Sequence, residues 1–236
     1  MRSRARWPSR DWSPVSLLDD VDRARGSADA CLSMRPDFSI AKFMRREPFE
    51  NPADAEPEAV WVTEVLDFWF EELCETDWYA KNDGIDARIR GRFLSLHERL
   101  VARDGGVAAT PRSLLAAVIV LDQFSRNLFR GTARAFAADP IARRLSRAAL
   151  SHRFDAAMKE QERLFLYMPF EHSEDREDQA LAVELIARLG NEAWTRCAIA
   201  HQALIERFGR FPHRNAILDR PSSADEDALL KHPPEW

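Results

Sequence analysis

Residues 110–129 read T-P-R-S-L-L-A-A-V-I-V-L-D-Q-F-S-R-N-L-F. Thr110 and Pro111 have the form of an N-cap and a first helical residue. The hydroxyl can accept from free N–H groups, and proline loses nothing where its own N–H would go unpaired. Behind them Ser113–Phe129 is predicted to be helical, and L-L-A-A-V-I-V-L is apolar on every face. A helix with no polar side has no surface to give to water, so this one belongs at the centre of a helical domain.

The flanking segments follow the same grammar. Pro57 suits a first turn, and Val62, Val65, Leu66, Trp69 and Leu73 follow as a stripe at helical spacing. Ile85, Ile89, Phe93, Leu96 and Leu100 mark a second helix that ends before Gly105–Gly106. Asp139–Pro140 repeats the cap signal and opens a helix to about Ser151. The next helix is expected from about Ala156 to Met168, stopped by Pro169, with Glu171 and His172 in a short non-helical link. Ser173 is expected to cap a helix through Leu189. Asn191 opens another, whose stripe is Trp194, Cys197, His201, Leu204 and Phe208. Gly209 fits the left-handed position that closes it, and Ser223 with Glu226 forms a capping box for a short last helix. No strand-like alternation interrupts the series. The expected fold is all-α, with seven to eight helices in stacked antiparallel pairs and no repeat of fixed period.

The 236 residues suffice for one domain with a tail. Six of the thirteen prolines fall within the first 57 residues, among charges of both signs without a helical period. Residues 1–56 are therefore expected to be an N-terminal extension, disordered or the product of a start placed too early, with at most a short helix near Ser39–Arg46. The helical domain is taken as residues 57–236. A net charge of -5 gives no electrostatic reason to expect nucleic acid. The longest apolar run, Leu114–Leu121, is too short to span a membrane, and no apolar stretch follows the N-terminal arginines as in a signal peptide. Cys31, Cys74 and Cys197 are far apart and odd in number. They read as reduced packing thiols, Cys74 and Cys197 on apolar helix faces, in a cytoplasmic protein.

Three segments place polar groups at helix ends. In Leu121–Thr132, Asp122 shares a face with Leu115, Val118 and Ile119, so a carboxylate stands where a core residue should. Such a group needs a partner, and Arg126, four residues on, is in the favourable orientation. Asn127, Arg130 and Gly131 follow at the helix terminus, where the dipole alone would favour a cation. Tyr167–Glu174 presents Glu171, His172, Ser173 and Glu174 around a new helix N-terminus, a place that attracts anions. Ile205–Asn215 ends in Arg210, Pro212, His213, Arg214 and Asn215, of which the last three lie beyond the helix dipole. His201, on a buried stripe, has the place of a hydrogen-bonded core residue. A metal site ranks below an anion site, because no H-E-x-x-H or E-x-x-H occurs and the arginines would repel a cation. No cofactor motif occurs, since G-x-S-x-G, G-x-G-x-x-G and Walker-type loops are all missing.

V-L-D-F-W-F, L-D-Q-F-S-R-N-L-F-R-G-T, L-Y-M-P-F-E-H-S-E and R-F-G-R-F-P-H-R-N-A-I-L resemble a mainly bacterial family known as domain of unknown function 924, over about Val65 to Leu230. The resemblance implies a tetratricopeptide-like, right-handed α-superhelix. It also implies signature positions at Asp122, Gln123, Arg126, Asn127, Arg130, His172, Ser173, Glu174, Arg210, His213, Arg214 and Asn215. It implies no reaction. Ser125 stands where the family often has Pro, which puts a kink before Arg126 in question, and Asp219 replaces a common Gly.

The leading expectation is a small-molecule site in which the arginines bind a carboxylate or phosphate. Gln123, Arg126, Asn127, Arg130, Ser173, Arg210, Arg214 and Asn215 would line it. His172 or His213 would move a proton, oriented by Asp122 or Glu174. No metal or cofactor is expected, and neither the reaction nor the oligomeric state is specified. The alternatives are a helical adaptor holding a peptide in a groove and a polar network that only fixes the fold.

Overall fold

The computed structural model describes residues 60–106 and 110–231. The extension over residues 1–56, its helix near Ser39–Arg46, Pro57 and Cys31 lie outside them. Among the described residues there is no strand. The helices are α1 (Val60–Phe70), α2 (Glu75–Tyr79), α3 (Asp83–Ala102), α4 (Pro111–Val118 with its continuation), α5 (Asp139–Ser151), α6 (Glu160–Glu171), α7 (Arg176–Ala187), α8 (Glu192–Phe208) and α9 (Ala224–Lys231). Short 3₁₀ turns at Ala133–Phe136, Phe154–Ala157 and Pro212–Arg214 join some of them.

α4 is central, as its composition requires. Thr110 Oγ1 accepts from the Ser113 N–H and Pro111 opens the helix. Leu114 through Leu121 are buried, against α1, α3, α5 and α6. Phe124 packs edge-on against Phe68 and Trp69, and Trp69 does the same with Phe165, at centroid separations of 5.8, 5.5 and 5.3 Å. Each such pair adds about 1 kcal/mol beyond the area it buries. The sequence pattern did not reveal that the rod changes pitch. Past Val118 it runs through six residues of π-helix, Ile119–Phe124, before a last α-turn, Ser125–Leu128. π segments are rare and frequent at functional sites. Ser125 introduces no proline kink: its hydroxyl donates to the Leu121 carbonyl at 2.6 Å and meets Nε2 of His97 at 2.7 Å.

Four local expectations need correction. Pro169 does not stop α6, which continues to Glu171 with His172 as its C-cap. A proline removes one backbone hydrogen bond, but Pro169 is buried and the His172 N–H still reaches the Met168 carbonyl at 2.8 Å, so packing carries the helix through. Ser173 is not the cap of α7; Asp175 is, accepting from the N–H groups of Glu177 and Asp178. Asp139 is not an N-cap but the first residue of α5, after Ala138, and its carboxylate is spent elsewhere. Cys74 is exposed as the N-cap of α2 instead of lying on an apolar face.

The C-terminal elements follow expectation more closely. Asn191 caps α8, and Gly209 closes it at φ 70°, a backbone state glycine enters without steric cost. α7 and α8 form a hairpin that packs along its length. Ser223 and Glu226 exchange the two bonds of the capping box that opens α9. Asp219 takes φ 54°, the same left-handed region, where a glycine would sit freely.

Candidate functional site

The π segment of α4 delivers Asp122 to a point where it is fully buried. Its carboxylate meets Nδ1 of His172 at 2.9 and 3.0 Å and Nη1 of Arg126 at 3.2 Å, and it accepts from Nε2 of Gln123. Burial pushes the Asp122 pKa up, but Arg126, His172 and Gln123 outweigh it and hold the carboxyl below its usual range. An ionised Asp122 can only accept, so Nδ1 of His172 carries the hydrogen and Nε2 is left as the basic nitrogen. Burial also drives the His172 pKa down against the pull of Asp122, which favours the neutral ring.

Arg126 turns from Asp122 to Asp139 and donates to both its oxygens, at 3.1 and 3.2 Å. Asp139 is held by a second cation, Arg214, 3.6 Å away. Arg214 comes from the 3₁₀ turn Pro212–Arg214 that follows Gly209. Its side chain is 8% exposed, with the guanidinium 4.5 Å from the Phe136 ring and 4.6 Å from the Phe211 ring. Nη2 donates to the His172 carbonyl at 3.0 Å, while buried Nε has no acceptor among the described residues. Burial and then the charge of Arg126 push the Arg214 pKa down to about 10.

Two more histidines adjoin this cluster. The His201 ring lies 6.3 Å from that of His172 and 5.5 Å from that of Phe211, and the His213 ring packs on Phe211 at 5.5 Å. Burial lowers the pKa of both, His213 to about 4 and His201 to about 3, with Arg214 adding to the effect. Next to His201 stand Glu171 and Cys197, which with it form a group of potential metal ligands.

The expected residues thus divide. Asp122, Gln123, Arg126, His172 and Arg214 come together, with His213 beside them. Glu174, whose charge acts on both His213 and Arg214, is tied to the turn that carries them. It accepts from the Phe211 N–H at 2.8 Å and from Arg220 at 2.7 and 2.9 Å, which fixes the turn that carries Arg214. The others serve separate ties. Asn127 and Arg130 both bind Asp86 at the start of α3. Ser173 sits between Arg143 and Asp178. Arg210 clamps Glu226 of α9, and Asn215 bonds Ser222 and Arg220. Sequence reasoning missed Asp139, Phe136, Phe211 and Arg220. Only Asp139 left a signal: an acid at a helix start has a second use when cations are nearby.

Residues 65–234 match the family described as "Bacterial protein of unknown function (DUF924)". The chain belongs to this family. Its described fold is also similar to the solved structure of protein of unknown function ATU0120 from Agrobacterium tumefaciens, with 37% sequence identity and a TM-score of 0.69. That similarity covers 72% of this chain and 96% of the other. No curated protein matches the sequence. The DUF924 match begins within α1 and takes in Asp122, Arg126, Asp139, His172 and Arg214, so the whole cluster falls inside the family region. Among the described residues no helix is long and apolar enough to cross a membrane.

Proposed function

We propose that this DUF924 chain binds a small anionic molecule, a carboxylate or a phosphate, against Arg214 and Arg126, with the Asp122-held His172 positioned to exchange a proton with it. The observation that carries this is Arg214. A guanidinium has five donors, and here it is buried between two aromatic rings with one hydrogen bond to a carbonyl, the Asp139 carboxylate 3.6 Å away and too far to accept one, and no acceptor for Nε among the described residues. Unmet buried donors cost free energy, and a bidentate anion is the ligand whose geometry would meet them. Asp122 supports a role for His172 by fixing its tautomer and orientation, the part a carboxylate plays beside a general base.

Adaptor function has less support. The exposed large apolar side chains among the described residues, Val60, Tyr79, Val101 and Ile199, are dispersed over α1, α2, α3 and α8 and offer no row of anchors for a peptide. A purely structural role fits Asn127, Arg130, Ser173, Arg210 and Asn215, whose polar groups are engaged within the chain.

The test is a thermal-shift panel of phosphate and small mono- and dicarboxylates on the full chain. A ligand at a hundred times its Kd should add about 2.7 kcal/mol of stability, which for a domain of this size is a rise in Tm of roughly 5–10 °C. Arg214→Met should abolish the response and leave the helical circular dichroism intact. Arg126 is the poorer probe because it also pairs Asp122 and Asp139. An undiminished response in Arg214→Met, or no response to any anion, would overturn the proposal.

A further inference from the structure

A second set of donors lies beside this cluster, divided between two helices. Glu171 ends α6, while Cys197 and His201 stand four residues apart on one face of α8. Oε1 of Glu171 is 3.1 Å from Nδ1 of His201, and Sγ of Cys197 is 3.8 Å from the same nitrogen. The ligand atoms of all three lie within 4.8 Å of one another. A tetrahedral Zn²⁺ with bonds of about 2.1 Å to nitrogen and oxygen and about 2.3 Å to sulfur has N···O edges of about 3.4 Å and N···S edges of about 3.6 Å. The observed separations fall within a few tenths of an ångström of those edges.

The charge balance points the same way. Glu171 is 4% exposed, and among the described residues no arginine or lysine pairs with it. Its neighbours are a thiol and an imidazole, which supply no fixed positive charge. A carboxyl group so placed either keeps its proton or requires a cation. One divalent ion bound by one carboxylate, one thiolate and one neutral imidazole forms a unit of zero net charge, suited to a buried position. Sulfur, nitrogen and oxygen ligands together are the mixture that Zn²⁺ accepts.

We propose that Glu171, Cys197 and His201 form a Zn²⁺ site of three protein ligands, with the fourth position left for water or a substrate atom. On binding, the S–H proton of Cys197 and any proton on Glu171 pass to solvent as the Zn–S and Zn–O bonds form. Nδ1 of His201, now 3.0 Å from the Cys197 carbonyl, gives its lone pair to the metal, and the ring carries its proton on Nε2. Arg214 is close enough to repel a cation here, but Asp122 acts on Glu171 with the opposite sign. Sequence spacing ranked a metal low because only the C-x-x-x-H part of the set is local, and its third ligand is 26 residues away in the chain, at Glu171.

The full chain, stripped with a chelator, is titrated with Zn²⁺ by calorimetry and with Co²⁺ by absorption, in a buffer free of phosphate and carboxylates. The outcome then stands apart from that of the anion panel. One equivalent should bind, and Co²⁺ should show a thiolate charge-transfer band. Glu171→Gln, Cys197→Ser and His201→Asn should each weaken Zn²⁺ binding by more than about a hundredfold, the upper end of what losing an outer-sphere partner costs. Cys197→Ser should also remove the band, and Cys74→Ser should keep both affinity and band. Absence of saturable binding, or a band that survives Cys197→Ser, would overturn the proposal. With three substitutions on two helices, misfolding of one leaves the others to decide.

Discussion

Replacing Arg214 by methionine should leave stability within about 1 kcal/mol of wild type, although a buried charged residue is lost. The reasoning begins with its pKa, pushed from 12.5 down to about 10 by burial and by Arg126. At about 1.4 kcal/mol per pKa unit, the charged guanidinium is some 3 kcal/mol less stable here than in water. Methionine removes that strain. The attraction of Asp139, 3.6 Å away, is already included in that pKa; methionine further removes the bond from Nη2 to the His172 carbonyl and the stacking on Phe136 and Phe211. The first loss costs about 1.5–3 kcal/mol. The second costs about 1 kcal/mol per ring, partly recovered by sulfur–aromatic contact. Gains and losses nearly cancel, whereas breaking a well-compensated buried ion pair costs about 3–5 kcal/mol. Urea denaturation at neutral pH, followed by far-UV circular dichroism and without added anions, measures the difference. A loss of about 3 kcal/mol or more would refute the reasoning and make Arg214 a structural residue.

Asp122→Ala should behave in the opposite way. It leaves Arg126 and His172 facing a vacancy in the core and should cost about 3–5 kcal/mol, a fall in Tm of roughly 6–20 °C by thermal denaturation, while Asp122→Asn, which keeps an acceptor for His172, should cost less. His97 gives a test by pH. It is buried against Ser125 and Phe129, and burial, then Arg134, push its pKa from 6.5 down to about 4, with Glu98 opposing. The unfolded chain therefore binds the proton first, so this contribution is fully present above pH 6.5 and is lost as the pH falls through about 4. His97→Gln does not titrate there. The stability of wild type relative to this variant should fall by about 2 kcal/mol between neutrality and pH 4, and a flat difference curve would contradict the assignment.

The parts of the fold that could be read in the sequence are those set by neighbours in the chain. Thr110–Pro111, Asn191, Gly209 and the Ser223–Glu226 box each solve a backbone problem within four residues, and the uniform apolarity of Leu114–Leu121 can mean only burial. The errors arose where packing overrode a local rule. Pro169 should end a helix, but its surroundings hold the helix together through Glu171. The candidate site was half visible. Asp122 was conspicuous as an acid on an apolar face, and Arg126 as its partner at helical spacing. Asp139 escaped because a capping role already accounted for it, and its real partners are 13 and 75 residues away, at Arg126 and Arg214. Asn127, Arg130 and Arg210 have the same composition as the converging residues, yet they serve Asp86 and Glu226. Composition shows that a polar group needs a partner, and only the fold shows which partner it gets.

The change of pitch at Ile119–Phe124 bears on any attempt to engineer this protein. A designer seeking stability would regularise the central rod, since π geometry forms poorer hydrogen bonds than an α-helix of the same length. Closing that segment into α-helix with every residue kept would leave the first half of the rod undisturbed. The second half would turn about the rod's axis, carrying Asp122 and Arg126 away from His172 and Asp139. The outcome would be a better helix in a sound scaffold without its polar cluster, so the irregular pitch belongs among the features that stabilising redesign should leave alone.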